Sequence, residues 1–132
     1  MASDSLDTCL IISAVLGAPI EQRDAVWDLL ESGDTHHISD LAISETVYVL
    51  EYHYKQTRAE IIFGLESFLK THDDVLNYNR GLFELVFPYY AAHPALSFND
   101  CCLVFYAELN HAEPLFTFDQ KLAKTHPSAK IL

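Results

Sequence analysis

Three cysteines in 132 residues are too few, and odd in number, for a disulfide framework. Cys101 and Cys102 are adjacent, a spacing that does not suit zinc on a helix, so with Cys9 they read as small buried core residues. Positive charge is also scarce: eight Lys and Arg stand against nineteen Asp and Glu, a formal net charge of −11. That balance argues against generic nucleic-acid binding through a basic surface. No apolar run approaches the roughly 20 residues needed to cross a bilayer, and the opening MASDSLDT is acidic where a secretory signal is basic. A soluble, cytoplasmic chain with no membrane partner is the expectation. Glycine and proline gather into no linker, and no repeat or low-complexity tract interrupts the chain. Residues 1–132 are therefore expected to form one domain.

Apolar residues make up 50% of the chain and aromatics 12%, which places it among folded globular proteins. The apolar run 9–16 follows Asp7-Thr8 and ends at Gly-Ala-Pro; periodicity alone leaves it a strand or a short helix. Residues 21–32 are amphipathic, with Ala25, Val26, Leu29 and Leu30 on one side, and close at Gly33 as a helix does. HHIS is a short strand candidate. A helical pattern covers 40–54, and another opens at Thr57, with Glu60 at the capping-box position, and runs to Lys70. VLNY reads as a strand, residues 79–92 as a long helix, PLFTF as a buried strand, Asp119 as the start of a helix and KIL as a last short strand. Short apolar strands separated by helices predict an α/β fold with a mainly parallel central sheet.

Within this frame four acids need an explanation. In LSFNDCCLVFYAEL, residues 96–109, Asp100 heads a segment that is otherwise almost wholly apolar. Helix capping and the helix dipole account for an acid there. Asp119 directly follows PLFTF, at the carboxyl end of a parallel strand, where open α/β sheets bind ligands; it is also placed to cap the helix behind it. Glu45 sits in LAISETVYVLEY with Leu41, Ala42, Tyr48 and Val49 as helical neighbours, so it needs a partner or a route to solvent. Asp7 beside Thr8 caps a turn and alone says little.

Taken together, LDT near the N-terminus, ISETVYVLE around residue 45, SFND at 97–100 and TFDQKLAK at 117–124 resemble the four acidic blocks of the PIN-domain family, particularly its VapC-type toxin ribonucleases. The resemblance spans nearly the whole chain. It implies a three-layer α/β/α sandwich, and it places a strand before Asp7 and a helix after it. It also implies that Asp7, Glu45, Asp100 and Asp119 form an acidic pocket, with Thr8 as the hydroxyl neighbour of the first acid and Thr117 the hydroxyl preceding the last. Two positions depart from the family pattern. Cys9 stands where the family often has asparagine, and Ser97 where many members carry a further acid; both leave the four acids intact.

Four carboxylates in one pocket cannot all stay ionised without countercharge. Hard divalent cations, Mg²⁺ or Mn²⁺, supply it: they take oxygen ligands, keep several waters, and support hydrolysis of phosphodiesters by activating water and stabilising the leaving oxygen. Asp7, Asp100 and Asp119 are the expected ligands, with Glu45 a ligand or an orienter of metal-bound water. No separate base is needed. The seven histidines, His36-His37 and His53 among them, lack zinc spacing and read as structural or surface residues.

Lys121 and Lys124, within two turns of Asp119, are candidates for contact with RNA phosphate, though a solvated helix face accounts for them more simply. With so few cations, a small, structured or loop-restricted RNA suits the chain better than nonspecific RNA; the resemblance suggests tRNA, rRNA or mRNA. Core packing accounts for most of the seven tyrosines. Tyr48 and Tyr52, however, are spaced for one helix face, a candidate groove for a partner. The resemblance implies a VapB-like antitoxin and a toxin homodimer. Two other readings stay open: a catalytically silent PIN-like interaction protein, and a receiver-like phosphoacceptor module. The single Asp7, where a receiver-like module needs paired acids, weighs against the second.

Overall fold

Strand pairing in this protein is parallel throughout the described residues. The computed structural model describes residues 3–71 and 74–132, and the chain divides into two compact units, Met1–Tyr78 and Asn79–Leu132.

In the first unit β1 (Ser3–Ser5), β2 (Thr35–His37) and β3 (Val75–Leu76) form one sheet in that order. Leu6 N–H donates to His37 O at 2.9 Å and Ile38 N–H to Leu76 O at 2.8 Å, carrying the pairing one residue past β1 and β2. Asp4 lies opposite His36 in register, so both side chains stand on one face of the pleat. The His36 ring is fully buried, and its Nδ1–H donates to Asp4 Oδ1 at 2.6 Å. An ionised carboxylate can only accept, which fixes the proton on Nδ1.

The run 9–16 that periodicity left open is a helix, α1 (Thr8–Leu16). Asp7 caps its start. Gly17 ends it with φ 69°, a left-handed conformation that glycine adopts without strain, and donates its N–H to Ser13 O at 2.8 Å. α1 packs against α2 (Ile20–Leu30), α3 (Asp40–Tyr48) and α4 (Arg58–Thr71). Ile11, Val26, Leu30, Ile43, Ile61 and Leu65 are buried in this unit. Ala25, expected on the apolar side of α2, is exposed. The capping box at Thr57 is reciprocal: Thr57 N–H donates to Glu60 Oε1 and Glu60 N–H to Thr57 Oγ1, each at 3.1 Å.

The helix expected over 40–54 changes type within its length. α3 ends at Tyr48 and a π-helical turn, Val49–His53, follows, with Tyr54 N–H bonded five residues back to Val49 O at 3.1 Å. Buried Val47 and Leu50 are spaced for either register, so the apolar pattern does not mark the switch.

The second unit contains α5 (Arg80–Ala92), α6 (Phe98–Leu109), β4 (Leu115–Thr117), α7 (Gln120–Thr125) and β5 (Ala129–Ile131). α5 and α6 pack through rings: Phe98 stacks parallel to Phe83 at 6.1 Å and meets Tyr90 edge-on at 5.3 Å. Among the described residues β4 pairs with β5 alone, Leu115 opposite Ala129. PLFTF is therefore not the buried strand expected: alternation turns Phe116 outward and Phe118 follows it, 56% and 78% exposed. A polar lock holds the far end of α7. Ser128 Oγ donates to Glu108 Oε1 at 2.6 Å, and Ser128 N–H donates to His126 Nδ1 at 3.0 Å, which leaves the ring proton on Nε2, facing Glu108 at 3.5 Å. Burial pushes the Tyr89 phenol above its ordinary range, with negative charge at Cys101 and Glu108 adding to the rise.

Two composition-based expectations need correction. Cys101 is a buried core residue, but Cys102 is half-buried and Cys9 exposed, because Cys9 falls on the outer side of the first turn of α1. Among the described residues Tyr90 is the one buried tyrosine; Tyr48, Tyr52, Tyr54, Tyr78 and Tyr106 are exposed, the phenol keeping a polar tip in water.

Candidate functional site

In the first unit the structure puts Asp7 at the N-cap of α1, its Oδ1 accepting from Thr8 N–H at 2.7 Å. Cys9 Sγ lies 3.7 Å from the other carboxylate oxygen, a weak donor contact. Thr8 itself is buried. Glu45 lies in the middle of α3, which packs on α1. Its carboxylate is exposed, and no described group bonds it. Leu41 and Tyr48, read as apolar neighbours, are exposed too, so Glu45 reaches solvent from an open helix face instead of from the rim of the core.

The start of α3 is pinned by a contact that no local pattern reveals. Asn77 Nδ2 donates to Ile38 O and to Asp40 Oδ1, each at 2.8 Å, tying the residues after β3 to the first residue of Glu45's helix. These partners are 39 and 37 residues away in sequence. The Asp4–His36 pair escaped notice for the same reason: its members are 32 residues apart and meet only across the β1–β2 register.

In the second unit the simple capping explanation of Asp100 fails. Ser97 is the N-cap of α6, and its Oγ accepts from Asp100 N–H at 3.1 Å. Asp100 is thus three residues into the motif, half-buried, with its backbone satisfied by Ser97 and its carboxylate bonded to no described group. The dipole of α6 still favours a negative charge there. Ser97, read as a lost acid of the family pattern, positions Asp100.

Asp119 does cap. Its Oδ1 accepts from Lys121 N–H at 2.8 Å and Leu122 N–H at 3.2 Å, opening α7 directly after β4. Thr117 Oγ1 accepts from Asp119 N–H at 2.9 Å, so the hydroxyl two residues before the acid fixes its backbone. β4 touches both α6 and α7, the helices that start at Ser97–Asp100 and at Asp119. Lys121 and Lys124 are exposed, and no described carboxylate pairs with either.

In the first unit the two acids stand on packed helices, α1 and α3, and in the second they head two helices that both touch β4; hydroxyl or amide neighbours orient three of the four. Within neither unit do three or more described His, Cys, Asp or Glu side chains gather in a metal-binding group. The donor set is nonetheless of the right kind for a hard cation. Every donor is a carboxylate oxygen; Glu45 and Asp100 carry no competing bond to a described group, and Asp119 keeps its second oxygen out of the cap.

The family model of the PIN domain matches residues 5–126, a span that includes all four acids. Neither the curated proteins nor the solved structures yield a match.

Proposed function

Because the chain belongs to the PIN-domain family, a nuclease-type fold, we propose that it is a divalent-metal-dependent endoribonuclease, the toxin of a type II toxin–antitoxin pair of the VapC kind. The observation that supports this most is at Asp100: Ser97 does the capping, and the acid it holds in the first turn of α6 has no structural bond of its own among the described residues. A carboxylate that makes no structural bond is open to a ligand.

On this reading residues 1–132 act as one PIN-like domain, and Asp7, Asp100 and Asp119 hold Mg²⁺ or Mn²⁺, with Glu45 a further ligand or the group that orients a bound water. When bound, the cation supplies a water of lowered pKa and a counter-charge for the leaving oxygen of an RNA phosphodiester. The chain's own residues do the positioning. Thr8 N–H holds Asp7 Oδ1 while Oδ2 takes only the weak Cys9 thiol contact, the two α7 amides hold one Asp119 oxygen and leave the other for the site, Thr117 sets the backbone of Asp119, and Asn77 fixes the start of the helix that carries Glu45. Lys121 and Lys124 are proposed phosphate contacts. With a net charge of −11 the chain grips RNA weakly through the backbone, so a structured or loop-restricted target in tRNA, rRNA or mRNA is proposed. The exposed Tyr48 and Tyr52, ring centroids 4.9 Å apart, are proposed as part of the surface that receives a VapB-like antitoxin, and the working form is a homodimer in the cytoplasm.

A catalytically silent PIN-like interaction protein is the second reading, favoured by Cys9, whose thiol stands at Asp7 Oδ2. Asparagine substitution separates the two. Asp7→Asn, Asp100→Asn and Asp119→Asn keep the caps, since asparagine caps as well as aspartate, and each is expected to abolish RNA cleavage with the fold retained. Wild-type turnover in any of them removes that residue from the site.

A further inference from the structure

A cleft of about 550 Å³ opens in the first unit between α2 and α4, floored by the end of α1. Its volume lies within the roughly 300–1,000 Å³ usual for small-ligand sites. None of the four acids lines it. The floor exists because of Gly64: a Cβ there would fall 2.8 Å from Val15 Cγ1, so the bare glycine lets α4 settle onto α1. Along α4 the cleft follows one helix face from Glu60 to Thr71, about 16 Å at 1.5 Å per residue.

The lining is chemically selective. Trp27 and Phe63 present rings that are 43% and 75% exposed. Glu31 and Glu60 supply two carboxylates, and no lysine or arginine lines the cleft among the described residues. Hydrogen bonds from Thr57 hold the Glu60 carboxyl below its ordinary pKa, which keeps it ionised. Trp27 already takes one cation on its ring, the Arg23 guanidinium at 4.7 Å from the centroid.

We propose that this cleft binds a linear aliphatic polyamine. Ammonium groups meet the two carboxylates, and the methylene segments between them lie on Val15 and Phe63. A hydrated metal ion makes no use of apolar walls, and an anion is repelled by both glutamates. The inference stands apart from the nuclease reading and survives its failure.

Calorimetric titration of the whole protein with spermidine at low salt tests it. Saturable one-to-one binding is expected, weakened about fivefold to tenfold by Glu31→Gln and by Glu60→Gln, the loss of one charge-assisted hydrogen bond each. Glutamine keeps the capping box, so Glu60→Gln folds. Phe63→Ala, on an exposed ring, also weakens binding, whereas Glu84→Gln on α5 leaves it unchanged. Binding that never saturates, or that falls equally in Glu84→Gln, is nonspecific counterion attraction and overturns the proposal. So does binding of an arginine-rich peptide with none of spermidine, which would make the cleft a protein-docking site.

Discussion

Ser97→Ala and Asp100→Asn should exchange rank in one melting experiment when metal is added. Ser97 Oγ accepts Asp100 N–H at 3.1 Å and is the side-chain cap of α6; removing such a cap costs about 1 kcal/mol. In a chain of 132 residues that lowers Tm by about 3 to 6 °C. Asp100→Asn removes no hydrogen bond to any described residue and forfeits only the attraction of one charge to the helix dipole, about 0.3–1 kcal/mol. In metal-free buffer it therefore melts closer to wild type than Ser97→Ala does. Added Mg²⁺ or Mn²⁺ reverses the ranking. A ligand at a hundredfold excess over Kd stabilises the native state by about 2.7 kcal/mol; Ser97→Ala should retain most of that shift, and Asp100→Asn should lose most of it. Scanning calorimetry with EDTA and with metal reads both effects. If Asp100→Asn shows the full metal shift, the carboxylate is no ligand and the reasoning fails.

Glycines 64 and 81 should respond to alanine with opposite sign. A Cβ at Gly64 strikes Val15, so Gly64→Ala is expected to destabilise by about 1–3 kcal/mol, whereas Gly81, in α5 with nothing within 4 Å, gains about 0.5–1 kcal/mol of helix propensity; urea unfolding of the two variants measures it, and equal signs would refute the packing argument. Glu60 has a folded pKa depressed below its ordinary 4.5 by the Thr57 hydrogen bonds, so its contribution is present above that value and lost as pH falls through the folded pKa. The stability gap between wild type and Glu60→Gln should therefore narrow on acidification, and a gap independent of pH would contradict it. Tyr48→Ala with Tyr52→Ala should weaken binding of a co-expressed antitoxin at least tenfold while leaving Tm nearly unchanged, because both rings are exposed. A Tm loss matching the affinity loss would make the pair structural.

Local chemistry was readable in the sequence wherever partners are near in the chain. The capping box at Thr57 and Glu60 appears at the expected residues, as do the helices opening at Arg80 and after Asp119 and the strands at HHIS, VLNY and KIL. The strand before Asp7 and the helix after it came from the family resemblance, since periodicity does not separate a helix from a strand over 9–16. Burial was less readable. PLFTF is as apolar as a core strand, yet its sheet has two strands, and Phe116 and Phe118 face outward. The tyrosines misled in the same direction. Of the candidate site, the acids and their neighbours came from the family resemblance, and their bonds are local: Thr8 N–H donates to Asp7, and the Ser97 and Thr117 hydroxyls accept from the backbone N–H of Asp100 and Asp119, all within three residues. Asp4–His36 and Asn77–Asp40 could not, being 32 and 37 residues apart and joined only by the sheet.

The central claim is that the acids run a metal-dependent cleavage of RNA. Incubating the purified protein with total tRNA, rRNA and mRNA transcripts, in Mg²⁺ or Mn²⁺ and again in EDTA, tests it most directly. The account predicts discrete internal cuts in a structured RNA that require metal and vanish in Asp100→Asn. Cleavage that persists in EDTA, or an identical cut pattern from wild type and Asp100→Asn, contradicts it.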